Sequence, residues 1–173
     1  MKNDPLVRRR AIVVLLCVLM LGVVGMVVEF LIRRPRMPSD QDLLTNFKRN
    51  QQTFETLRRM MNDDSGKIQY VSSSTLNGSG LNGRRQQDYR KLLSEISSGL
   101  VVVVDGEVVR FIFKSRGLFA FGAESIKGIE YLPQNRQKEG IVVNNLDASS
   151  GRTSGVYLRP IESNWFVFYQ HDD

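Results

Sequence analysis

The chain has 173 residues, 42% of them hydrophobic and 24% charged, a balance that supports one ordinary folded domain and excludes a wholly disordered chain. A net charge of +6 invites a nucleic-acid reading, but the excess sits at one end. Residues 1–36 hold seven basic and two acidic side chains, net +5, whereas residues 37–173 hold 17 basic and 16 acidic, net +1.

A basic tail, residues 1–10, precedes 18 consecutive uncharged residues, 11–28. Glu29 interrupts the run, and Phe30, Leu31 and Ile32 extend it to 22 residues. A helix of that length covers about 33 Å, enough for a hydrocarbon core of about 30 Å. Arg8, Arg9 and Arg10 close one end and Arg33, Arg34 and Arg36 the other, placed to meet lipid phosphate. Glu29 lies within a turn of the second cluster and is expected to reach the interface. We therefore expect a single-pass transmembrane helix at 11–32, retained rather than cleaved. A signal core would run only about 7–15 residues. Val23-Val24-Gly25 is moreover a poor cleavage site, and bulky Leu16 before Cys17 disfavours lipoprotein processing. A short tail with three arginines resists translocation, so the N-terminus is expected in the cytoplasm and the remaining domain on the outer, periplasmic face.

Residues 33–38 form a juxtamembrane linker holding Pro35 and Pro38, and residues 39–173 a single domain. Ser39-Asp40-Gln41-Asp42 resembles a capping box with Asp in the Glu position. Leu43, Leu44, Phe47, Phe54, Leu57, Met60 and Met61 follow largely at helical spacing, predicting an amphipathic helix of roughly 23 residues. Asn62-Asp63-Asp64-Ser65-Gly66 ends it, a short strand is expected over 67–71, and the Ser-, Asn- and Gly-rich stretch 72–83 reads as a mobile loop. A second helix is expected at 84–97, with Tyr89, Leu92, Leu93 and Ile96 on one face. Arg84-Arg85 is unfavourable at a helix entry and argues for a later start. Beyond residue 100 the period changes to two. Strands at 100–104 and 107–113 joined by Asp105-Gly106 predict a type I′ hairpin, with Val109, Phe111 and Phe113 on one face and Arg110 on the other. Shorter strands are expected at 118–121, 129–132, 141–144, 156–161 and 165–169. The order implies an α+β fold: an N-terminal transmembrane helix, then two helices packed on a mainly antiparallel sheet.

Motifs for chemistry are sparse. Cys17 is the only cysteine, which excludes an intrachain disulfide and a cysteine-based zinc site. His171, the only histidine, lies three residues from the C-terminus and reads as part of a frayed tail. Asp105 and Glu107 fit a turn and strand start, Asp63-Asp64 a helix exit and Asp172-Asp173 a charged end, so no paired-carboxylate site is expected. Asn77-Gly78-Ser79-Gly80 lacks the lysine of a phosphate-binding loop. Residues 122–128 read as a polar turn between strands, with Lys127-Gly128 an anion-binding alternative. No catalytic, metal-binding or cofactor-binding residue, and no cofactor, is expected. Trp165, Val167 and Tyr169 alternate with Phe166 and Phe168, leaving the latter two for helix packing or for a protein partner.

Phe47, Phe54, Leu57 and Met60-Met61, Tyr89 with Leu92-Leu93, residues 126–131, and Tyr157 with Asn164-Trp165-Phe166 form a pattern across residues 43–169. It resembles small uncharacterised bacterial envelope proteins with an N-terminal anchor, two helices and a terminal sheet. The resemblance implies a bacterial inner-membrane location and no known activity. The expected function is a membrane-anchored, non-enzymatic interaction domain, either an envelope accessory or a toxin-protective protein. The expected partners are the lipid bilayer and a protein of unknown identity, with no nucleic acid. A carboxylate-dependent envelope enzyme and a ligand-sensing membrane protein remain the alternatives.

Overall fold

A computed structural model of the chain describes residue 20 and residues 37–116, 124–134, 136, 140–149 and 153–172. The chain divides into two units, Met1–Arg36 and Met37–Asp173. Among the described residues no helix is long and apolar enough to cross a membrane. The anchor expected at 11–32 and its flanking Arg8, Arg9, Arg10, Arg33, Arg34 and Arg36 lie, Met20 apart, outside the described residues.

The second unit is α+β. Helices α1 (Asp40–Asp63) and α2 (Gly83–Ile96) accompany seven strands: β1 (Tyr70–Val71), β2 (Leu100–Val104), β3 (Val108–Arg116), β4 (Glu124–Tyr131), β5 (Ile141–Val142), β6 (Gly155–Glu162) and β7 (Trp165–Asp172). They form one sheet in the order β1-β2-β3-β4-β7-β6-β5. Every described pairing is antiparallel except that of β5 with β6, so the sheet is mixed.

α1 begins where the capping box is made. The Ser39 hydroxyl accepts from Asp42 N–H at 3.1 Å, and Ser39 N–H donates to the Asp42 carboxylate at 3.1 Å. Its apolar face buries Leu43, Phe47, Phe54, Leu57, Met60 and Met61. Midway, Asn50 leaves helical geometry (φ −119°, ψ 23°) within the polar stretch 48–53. α2 starts earlier than its arginines suggest, because Asn82 caps it by accepting from Arg85 N–H at 2.9 Å. Arg85 then turns back to Asp64 at 2.7 Å, so its charge is neutralised at the exit of α1. Tyr89, Leu93 and Ile96 bury the helix, and Ser97 ends it in the left-handed conformation. The expected 67–71 strand is only Tyr70–Val71. The 72–83 connection is pinned rather than free: a short 3-10 helix, Leu76–Gly78, inserts Leu76 into the core, and Leu81 is buried beside it.

The hairpin forms at the expected place, with one difference. Asp105 and Gly106 take φ of 49° and 77°, and Glu107 N–H donates to Val104 C=O at 3.3 Å, but the register pairs Val104 with Val108, so Glu107 belongs to a three-residue connection and the second strand starts one residue later than expected. Val109 and Phe111 face the helices, where Phe47, Phe54, Phe111, Tyr131 and Trp165 form an aromatic centre with ring centroids 5.0 to 6.0 Å apart. Gly128 is required where β3 meets β4: a Cβ there would lie 2.0 Å from Phe111 O.

The opposite face carries its own apolar cluster of Val108, Leu132, Leu158, Phe166 and Phe168. Phe166 is 2% exposed and Phe168 0%, so the two rings considered for a partner are buried, with no open surface. Arg110 lies over Phe168, 5.1 Å from its ring centre, while pairing with buried Glu130 at 2.5 Å.

Candidate functional site

The most concentrated polar chemistry in the domain gathers where α1 begins. Asp40, its first residue, is almost wholly buried. One carboxylate oxygen lies 2.8 Å from Lys127 Nζ on β4. The other accepts from Arg159 Nη1 on β6 at 2.9 Å and from Leu146 N–H at 2.7 Å. Asp147, on a short 3-10 turn (Asp147–Ser149), completes the cluster. Its two oxygens accept from Asp40 N–H at 3.1 and 2.9 Å, and one lies 2.5 Å from Lys127 Nζ.

Two cations and two carboxylates therefore cancel in charge. Burial by itself raises the Asp40 pKa, but hydrogen bonds from Lys127, Leu146 N–H and Arg159 outweigh it and hold the carboxyl below its ordinary value. Asp147 also supplies negative charge at the N-terminus of α1, where the helix dipole favours it.

This arrangement corrects the expectation for residues 122–128. β4 is already under way at Glu124, and Lys127 is a strand residue turned into the protein. Its ammonium is engaged by Asp40 and Asp147, not offered to an anion. The earlier part of that segment, with the strand expected at 118–121, falls in 117–123 outside the described residues.

His171 needs a second correction. It belongs to β7, opposite Ser125 on β4 and Gly155 on β6. Its Nδ1 lies 2.9 Å from Ser125 Oγ, which accepts from Tyr169 OH at 3.2 Å. The two rings stack at 6.3 Å. A hydroxyl beside an imidazole is chemistry that nucleophilic catalysis uses, and here it links β4 to β7 in the next rows beyond Lys127.

Elsewhere charges are also spent on partners. Asp64 accepts from Arg85 and, at 2.9 Å, from Tyr89 OH, joining the exit of α1 to α2. Burial, then that hydrogen bond, pushes the Tyr89 pKa up. Arg136 bonds Asp105 C=O at 2.8 Å and Glu107 at 3.4 Å at the hairpin. A cleft of about 40 Å³ beside Arg110, Glu130 and Arg136 has room for water rather than for a substrate. A wider, open groove of about 480 Å³ is lined by Asp105 together with Ser65, Ile68, Gln69 and Val103. Among the described residues no group of three or more His, Cys, Asp or Glu is placed to hold a metal ion.

Among the described residues of 37–173, the large hydrophobic side chains that are exposed lie on the two edge strands of the sheet. Tyr70 on β1 is 55% exposed, while Ile141 and Val142, the whole of β5, are 57% and 50% exposed. Val143 N–H donates to Leu158 C=O at 2.8 Å. Alternation along an extended strand then turns the N–H and C=O of Val142 away from β6. No family model, curated protein or solved structure matches the chain.

Proposed function

We propose that the protein is a membrane-anchored interaction domain, held in a bacterial inner membrane by residues 11–32, with its N-terminus cytoplasmic and residues 39–173 periplasmic. The anchor rests on the uncharged run of 18 residues and the arginines on either side. The binding role rests on one observation: β5 is an edge strand whose two side chains are both apolar and both exposed. Proteins ordinarily shield such an edge with charge, proline or a covering segment. An extended segment of a partner protein, adding to β5 by main-chain hydrogen bonds, is the occupant this geometry favours. Binding rather than turnover is also supported by the charged groups of the interior, which are paired with one another.

The test is a photo-reactive residue at position 141 of the full chain, irradiated in intact membranes. Discrete protein adducts, suppressed by Val142→Pro, which deletes the outward N–H, are the expected result. Labelling of lipid alone, or adducts indifferent to Val142→Pro, overturns the reading.

A further inference from the structure

Residues 140–146, which contain β5, carry no charge. Like charges set directly opposite one another are what keep two identical edges apart, and here there are none to do so. The ladder fixes which groups stay open. Ile141 and Val143 face β6 through the main chain, so Val142 is the residue whose N–H and C=O point outward. Its register partner is Leu158, of the second-face cluster, while Ile141 pairs with Tyr157 of the core on the helix side. Val142 therefore stands on the second face and Ile141 on the helix side, each about half exposed.

We propose that the occupant of the β5 edge is β5 of a second copy of this chain, related by a two-fold axis through Val142. Antiparallel pairing about that axis sets Val142 opposite its own counterpart. The outward N–H and C=O of each then exchange two hydrogen bonds, as in the hydrogen-bonded pair of an antiparallel ladder. The same register lays Ile141 opposite Val143 of the second copy and Gly140 opposite Asn144, so apolar meets apolar and no like charges face each other. A two-fold contact of this kind closes on itself. β1 is the poorer occupant: it offers Tyr70 alone, since Val71 is 1% exposed, and pairing it with β5 leaves an open edge at either end. Two hydrogen bonds and a few apolar side chains fall short of the roughly 1,000 Å² that a stable complex in solution buries. Anchoring both copies in one membrane supplies the remainder by raising their effective concentration. The inference rests on reading β5 as the interaction edge and names its partner.

Disulfide cross-linking of the full chain in isolated membranes, driven by copper–phenanthroline, reads the register. Cys17, the only cysteine, is first replaced by serine. In a hydrogen-bonded antiparallel pair the Cα atoms lie about 5.5 Å apart, within disulfide range. Val142→Cys should therefore give a linked homodimer. Ile141→Cys is offset from its own counterpart by two positions, about 8 Å between Cα atoms, and should give at least about fivefold less. Tyr70→Cys, exposed on the other edge, reports random collision and should give no more than Ile141→Cys. Equal yields from the three variants overturn the two-fold pairing. So do Val142→Cys chains that link chiefly to co-expressed Tyr70→Cys chains. If Val142→Cys stays monomeric while position 141 still gives adducts to another protein, the second copy is excluded and the interaction edge stands. Lipid labelling alone at 141, with no Val142→Cys dimer, overturns both.

Discussion

Asp40 shows how much one side chain's meaning depends on distant neighbours. By local rules it is an acidic residue in the first turn of a helix, worth a few tenths of a kcal/mol to about 1 kcal/mol beside the helix dipole. In the fold it is buried, and its partners Lys127 and Arg159 become buried or half-buried cations if it is removed. Removing its charge costs about 3 kcal/mol, because Arg159 loses its carboxylate and buried Lys127 keeps only the pair with Asp147. Its folded pKa is depressed, so the stabilisation is present above the unfolded value of about 3.9 and is lost as pH falls through the folded value. Asp40→Asn should therefore lie about 3 kcal/mol below the wild type at pH 7. The gap should narrow below about pH 4. Denaturant titrations of the solubilised chain at several pH values measure it, and a gap that stays constant into acid would mean that ionisation of Asp40 is not what stabilises the fold. The sequence showed Asp40 as part of a capping box. The ion pairs with Lys127 and Arg159 were not legible, because they join residues 87 and 119 positions apart.

At the scale of elements, the features that local chemistry controls were readable. The capping box places the start of α1, and Asp105-Gly106 places the hairpin, since each is decided by interactions within three or four residues. Gly106 has open space around an added Cβ but a φ of +77°, so any cost of substitution is conformational. Gly106→Val should lower stability by at least about 1 kcal/mol, and an unchanged melting temperature would exclude a positive-φ requirement at that position. Reading failed where tertiary contacts override local preference. Arg85 disfavours a helix entry in isolation but is neutralised by Asp64 from the other helix. Serine and glycine content suggested that 72–83 moves freely, whereas two leucines, Leu76 and Leu81, seat that stretch in the core. His171 lies near the chain end but within a strand flanked on both sides, and proximity to a terminus says nothing about pairing.

For the whole molecule, the distribution of charge carries the argument. The unit of residues 37–173 is nearly neutral, with 17 basic and 16 acidic side chains, and the surplus lies beside the apolar run. Retention of that run predicts peptides from residues 1–36 in mass spectra of the membrane fraction; a mature chain beginning near Met26 would overturn the anchor. Composition, charge asymmetry, helical and strand periodicity and turn chemistry determined the α+β class and the order of elements, because each is a property of neighbouring residues. The tertiary structure alone decided that the sheet is mixed, that its second face buries Phe166 and Phe168, and that Asp40, Lys127, Asp147 and Arg159 share one site. The reason is physical: strand order and the partners of buried charges are set by which distant surfaces exclude water together, and alternation along a strand separates its two faces without saying what covers either.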